Sequence, residues 1–60
     1  MDLPNCERVL SESGSDANLL FIIPVILRNT PPQFWRQELI VSGLSNLWAD
    51  EMVQAMTADS

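Results

Sequence analysis

The chain has 60 residues, of which 47% are hydrophobic, and its formal net charge is −5 at pH 7. Eight carboxylates are opposed by three arginines, and the sequence contains neither lysine nor histidine. An excess of negative charge disfavours direct binding to nucleic-acid phosphates and to anionic lipid headgroups. We therefore expect the partner to be another protein with a basic surface.

The length predicts one small domain over residues 1–60. A domain of this size buries only about 60% of the surface that its unfolded chain exposes, so its stability is marginal. Cys6 is the only cysteine, and it cannot form a disulfide within the chain. We expect stability to come from helix packing, from oligomerisation, or from both.

The first segment, "DLPNCERVLSES", predicts a short amphipathic helix. Its apolar residues recur at helical spacing, and Pro4 falls in the first turn, where proline is tolerated. The sequence "SGS" at 13–15 should end this helix. The apolar residues at helical spacing are Leu3, Cys6, Val9 and Leu10.

The second segment, "NLLFIIPVILR", contains a nine-residue apolar run from Leu19 to Leu27. A helix needs roughly 20 apolar residues to span a bilayer, so we expect no membrane insertion and a cytoplasmic protein. The β-branched residues favour a strand, but no partner strand is evident. We predict a helix capped by Ser15 or Asp16, kinked or restarted at Pro24, with an intermolecular strand as the alternative.

This predicted helix is apolar on every side, which indicates that other helices surround it. It should be the most buried element of the domain, or else half of a buried dimer seam.

The third segment, "NTPPQFWRQELIVSG", has the strongest helix signals. Thr30 is the predicted N-cap and Pro31 the first helical residue, and Gln33 stands three residues after the cap, as a capping box requires. Gly43 should end the helix in a left-handed conformation.

The fourth segment predicts a helix capped by Ser45, with Trp48, Met52 and Met56 on one face. The short connection Gly43-Leu44-Ser45 makes the last two helices an αα-hairpin. The predicted fold is all-α, a compact domain of three or four helices.

Residues for catalysis are scarce. Without histidine or lysine the chain lacks the usual general base, transition-metal ligand and Schiff-base amine. Asp50 and Glu51 are adjacent, so they point about 100° apart on a helix and form a poor catalytic pair. Cys6 lies on an apolar stripe, which favours a buried thiol over a reactive one. We expect no enzyme activity, no metal and no cofactor.

Two features of the third segment suggest a contact surface. Glu38 falls inside an apolar sector, where it either pairs internally with Arg8 or Arg28 or anchors a partner. Phe34 and Trp35 are adjacent, so they cannot both face one narrow core stripe. The predicted partner-binding residues are Phe34, Trp35, Glu38, Leu47, Asp50 and Glu51.

These observations predict a small acidic protein that binds and inhibits or regulates another protein. In its narrower form the prediction is a phage or mobile-element inhibitor of host nucleic-acid machinery, with an anti-defence role. The alternative is a structural or accessory subunit of a homo-oligomer, such as a homodimer, or of a larger complex. The carboxylates are scattered along the chain, so mimicry of nucleic acid is the less favoured mode of inhibition.

Overall fold

The computed structural model describes residues 2–60, which form four α-helices and no strand. The helices are α1 (Pro4–Ser13), α2 (Leu19–Asn29), α3 (Trp35–Val41) and α4 (Asn46–Asp59). A short 3₁₀ turn, Pro32–Phe34, leads into α3. The predicted all-α class is confirmed, and so is the preference for helix over strand in the apolar run.

No helix within residues 2–60 is both long enough and apolar enough to cross a membrane.

Two of the helices end at glycines in the left-handed region. Gly14 follows α1 with φ 69°, and Gly43 follows α3 by two residues with φ 117°. In each case the next N–H group reaches back across the last turn: Ser15 donates to the Leu10 carbonyl at 3.2 Å and Leu44 to the Leu39 carbonyl at 3.1 Å. This is the Schellman arrangement, and it confirms both predicted helix ends.

The start of α3 differs from the prediction. Thr30 is extended (φ −124°, ψ 129°) and ends α2 instead of capping α3. Pro31 is also extended, and no side chain caps the 3₁₀ turn, so the predicted capping box of Thr30 and Gln33 is wrong. Each residue before a proline is driven away from helical geometry, and the pair Pro31-Pro32 applies this restriction twice.

The start of α2 also lies later than predicted. Its N-cap is Asn18 rather than Ser15 or Asp16, and the helix runs through Pro24 without a break. Asp16 still contributes, because its Oδ1 accepts a hydrogen bond from the Asn18 N–H at 2.9 Å. This contact stabilises the turn that leads into the helix.

The expectation that α2 is the most buried element is wrong. Only Ile23 and Ile26 are buried, whereas Phe21 is 77% exposed, Val25 48% and Ile22 37%. The described domain measures 25 × 23 × 18 Å, and a helix with its side chains is about 10–12 Å wide. A helix that is covered on two opposite sides needs a domain about three helix widths across, which is more than 25 Å. Every helix of this domain therefore has an outer face.

The core lies between the four helices, and α4 packs most extensively against α1. As predicted, α4 turns Met52 and Met56 inward, and both are fully buried. Ser45 stands at the N-cap in an extended conformation, although its side chain makes no capping hydrogen bond. The buried hydrophobic residues are Leu3, Cys6, Val9, Leu10, Ile23, Ile26, Trp35, Leu39, Leu44, Ala49, Met52, Ala55 and Met56.

Candidate functional site

The outer surface of α4 brings together three of the predicted partner-binding residues. Leu47 is 69% exposed, and Asp50 and Glu51 are exposed three and four residues further along the helix. Residues at these spacings are neighbours on one helix surface. We call Leu47, Asp50 and Glu51 the α4 face.

One exposed ion pair links the α4 face to α3. The Arg36 Nε donates to the Asp50 Oδ1 at 2.7 Å, and both side chains are largely exposed. The pair therefore contributes little to the stability of the fold. It does neutralise one of the two carboxylates on the α4 face, so Glu51 carries the uncompensated charge.

Phe34 and Glu38 lie on another part of the surface. Both are exposed, Phe34 to 49%. Glu38 follows Arg36 by two residues, which turns its side chain about 200° around the helix from the side that contacts α4. The six predicted residues thus do not form one surface.

The internal ion pair predicted for Glu38 does not form. Among residues 2–60, Arg8 pairs with Glu12 at 3.3 Å, Arg36 pairs with Asp50, and Arg28 has no carboxylate within ion-pair distance. Glu38 can remain unpaired because it is exposed to water. Its neighbours four residues before and three residues after, Phe34 and Val41, are 49% and 77% exposed, so the apolar sector that contains Glu38 faces outward.

Trp35 is buried, with only 6% of its surface exposed, so the expectation that it anchors a partner is corrected. Its indole Nε1 donates a hydrogen bond to the Thr30 carbonyl at 2.8 Å, which ties the start of α3 to the end of α2. A buried indole needs such an acceptor. The expectation that Phe34 and Trp35 face different ways is confirmed, with Phe34 outside.

Cys6 is a core residue, as predicted. It is fully buried, and this burial, together with the neighbouring Asp59 carboxylate, raises the pKa of its thiol to about 12. Its thiolate is therefore nearly absent at neutral pH, and the thiol is a poor nucleophile.

Asp59 closes a contact that no local pattern indicated. Its carboxylate accepts hydrogen bonds from the Cys6 N–H at 2.9 Å, the Asn5 side chain at 2.8 Å and the Asn5 N–H at 3.3 Å. These two N–H groups are in the first turn of α1, where a helix has no acceptors of its own, and Leu3 at the N-cap cannot supply one. The last helix thus caps the first.

A second exposed surface lies on α2, the helix for which the sequence left a dimer seam as the alternative to complete burial. Phe21, Ile22 and Val25 are exposed, and Val25 lies four residues after Phe21 and three after Ile22, so it neighbours both on the helix surface. We call these three residues the α2 strip. Arg28 lies one turn beyond Val25, and Asp16 lines the same shallow depression as Ile22 at the opposite end.

Within residues 2–60 no three side chains of histidine, cysteine, aspartate or glutamate are grouped closely enough to hold a metal ion. No protein-family model, curated protein or solved structure matches the chain.

Proposed function

We propose that the chain is a non-enzymatic protein that binds a second protein with a basic surface and thereby inhibits or regulates it. The contact would be made by the α4 face. The observation that supports this proposal is an apolar side chain, Leu47, that is 69% exposed beside the carboxylates Asp50 and Glu51.

The charge of α4 supports the choice of this face. The helix contains three carboxylates and no cation, and because Arg36 pairs with Asp50 and Asp59 binds the start of α1, Glu51 carries the uncompensated charge. This charge attracts a basic protein over a distance of about one Debye length and accelerates its encounter. Leu47 would then enter an apolar pocket of the partner, since an exposed apolar side chain on a helix suits a groove.

The experiment has two stages. The tagged chain is first used to capture proteins from its native host, in parallel with a Leu47→Ser variant, and proteins that only the unaltered chain captures are identified by mass spectrometry. Binding is then measured with the purified candidate at several salt concentrations.

Leu47 should affect the dissociation rate of the complex, and Glu51 should affect its association rate. Leu47→Ala should weaken binding about tenfold through faster dissociation, because burying a leucine contributes about 1.5–3 kcal/mol. Glu51→Gln should slow association mainly at low salt, because its charge steers the encounter. Phe34→Ala is the matched control, since it removes an exposed apolar side chain from a different surface. Loss of binding in Phe34→Ala, with Leu47→Ala unchanged, would contradict the proposal.

The narrower form of the proposal is a phage or mobile-element inhibitor that acts in the cytoplasm on a host protein that handles nucleic acid. Proteins of this class carry basic surfaces, which supports the choice. If the captured candidate belongs to this class, the chain should inhibit its activity, and Leu47→Ala should raise the concentration needed for inhibition about tenfold.

The alternative function, a structural subunit of a homo-oligomer, is favoured by a different observation. The α2 strip presents three apolar side chains to solvent, with exposures of 37–77%, and exposed apolar patches mark interaction sites.

A further inference from the structure

We propose that the α2 strip binds the α2 strip of a second copy of the chain, with the two helices antiparallel. The inference deepens the alternative function, a homo-oligomer, and does not depend on binding at the α4 face, because the strip and that face belong to different helices. The charges that surround Phe21, Ile22 and Val25 indicate which molecule binds the strip.

Self-association is opposed by the net charge of −5 on each copy, so an interface between copies needs a region without carboxylates. α2 itself is such a region, since Leu19–Asn29 contains no carboxylate and one cation, Arg28, while the neighbouring carboxylates Asp2, Glu7 and Asp16 lie beside its N-terminal half. Arg28, the exposed cation of α2, has no carboxylate within ion-pair distance among residues 2–60 and can pair with a carboxylate of a second copy. The strip therefore suits a second, acidic copy better than it suits a basic protein.

The two ends of the strip carry opposite charges. At the C-terminal end, Arg28 is exposed and has no carboxylate within ion-pair distance among residues 2–60. At the N-terminal end, Asp16 is exposed, and only its Oδ1 is engaged, by the Asn18 N–H. A surface with a cation at one end and a carboxylate at the other is complementary to itself when it is rotated by 180°.

This complementarity selects the antiparallel arrangement. With the two-fold axis level with Ile23, Phe21 of one copy faces Val25 of the other, and Arg28 is level with Asn18. Asp16 precedes Asn18 by two residues and lies outside the helix, so it is at most about 7 Å from Asn18 along the chain, which is within reach of an arginine side chain. A parallel arrangement would place the two copies of Arg28 side by side.

The symmetry doubles every contact, so the dimer has two Arg28–Asp16 pairs around a small apolar centre. Three side chains per copy cover less than the roughly 800 Å² per partner that is usual for a stable complex. We therefore expect a reversible dimer that forms in the micromolar range rather than an obligate one.

The first test is sedimentation over a concentration series from low micromolar to several hundred micromolar. The unaltered chain should shift from its monomer mass of 6.7 kDa towards twice that value. Phe21→Ser should weaken the dimer at least about tenfold, because it removes the largest apolar side chain of the interface. Leu47→Ser is the matched control, since Leu47 has a similar exposure (69% against 77%) and lies outside the strip.

The second test separates the specific pairs from general repulsion. Arg28→Asp changes the net charge from −5 to −7, whereas Asp16→Arg changes it from −5 to −3. General repulsion alone would make the first variant weaker and the second stronger. The proposed pairs require both to weaken the dimer about five- to tenfold, because each turns two attractions into repulsions. The double variant, which again carries −5, should restore dimer formation.

Several results would overturn the inference. These are a monomer at every concentration, equal loss of the dimer in Phe21→Ser and Leu47→Ser, a stronger dimer in Asp16→Arg, or no recovery in the double variant. A foreign protein that binds the monomer and is lost in Phe21→Ser would show that the strip has a different occupant. The thermal unfolding of each variant, followed by circular dichroism, identifies any change that arises from misfolding.

Discussion

Replacement of Asp59 by alanine should destabilise the domain more than the loss of any other surface carboxylate. The substitution removes three hydrogen bonds to the first turn of α1, at 2.8, 2.9 and 3.3 Å. Loss of a helix cap costs about 0.5–2 kcal/mol, and a hydrogen bond to a charged group contributes about 1.5–3 kcal/mol. Because Asn5 is only partly buried, its freed donors can bind water, and we expect a total loss of about 2 kcal/mol.

This loss is large for a domain of 60 residues. At about 0.05–0.15 kcal/mol per residue, the free energy of unfolding of such a domain is about 3–9 kcal/mol. A loss of about 2 kcal/mol should lower Tm by roughly 8–16 °C. Urea and thermal unfolding, followed by far-ultraviolet circular dichroism, measure both quantities.

Asp50→Ala provides the matched control on the same helix. It also removes a carboxylate with a short contact, to Arg36 at 2.7 Å, but both side chains of that pair are largely exposed. We expect it to cost less than about 1 kcal/mol. Equal losses in Asp59→Ala and Asp50→Ala would refute the assignment of Asp59 as the cap of α1.

The contribution of Asp59 should also depend on pH. Burial by itself would raise the pKa of this carboxyl, but the hydrogen bonds from Cys6 and Asn5 together outweigh burial and hold the pKa below its ordinary value of 3.8. The native state therefore binds fewer protons than the unfolded state near this pH, and the stabilisation is complete above it. The difference in stability between the unaltered chain and Asp59→Asn should be constant near neutral pH and should shrink as the pH falls below about 4.

Three further substitutions or reactions test the core and the helix ends. Ile23→Asp should prevent folding, because it places an unpaired charge at a position with no exposure; a cooperative unfolding transition in this variant would contradict the structure. Gly43→Ala should cost more than Gly14→Ala, since φ 117° lies further from the left-handed minimum than φ 69° and a Cβ has open space at both sites. The Cys6 thiol should react with a thiol reagent only at the rate at which the domain opens, because it is buried and its pKa is about 12.

Two signals that act over one or two helical turns gave correct predictions. The four-residue spacing of Met52 and Met56 identified the inner side of α4, and Gly43 identified the end of α3. The start of α3 was misplaced because the sequence "TPP" supports two structures. Proline at a first helical position predicts a start at Pro31, whereas the restriction on the residue before a proline delays it.

Contacts between distant parts of the chain were not predictable in the same way. Asp59 lies 53 and 54 residues from the groups that it caps, and it resembles the other scattered carboxylates in the sequence. The only local hint is negative: Leu3, which precedes the proline at the start of α1, cannot cap that helix. Such a hint shows that a cap is missing but not which residue supplies it.

The exposure of α2 could have been foreseen from size alone. A run of apolar residues on every side of a helix predicts complete burial only in a domain wide enough to surround that helix, and 60 residues are too few. The sequence contained the second clue as well, because the run has no carboxylate although the rest of the chain is acidic. Together these facts indicate an outer apolar surface on a helix that carries no carboxylate of its own.

The separation of charge between α2 and α4 has a consequence for how the two surfaces would work together. When a second copy binds the α2 strip, the apolar strips of both copies lie at the dimer axis. Leu47 and Glu51 of each copy stay exposed on α4. A dimer then presents two acidic faces instead of one, which raises the affinity for a partner with two basic sites without any new contact. If both proposals hold, Phe21→Ser should leave the binding of a single isolated site unchanged and weaken only the binding of the two-site partner. Equal weakening of both would mean that Phe21 contacts the partner directly.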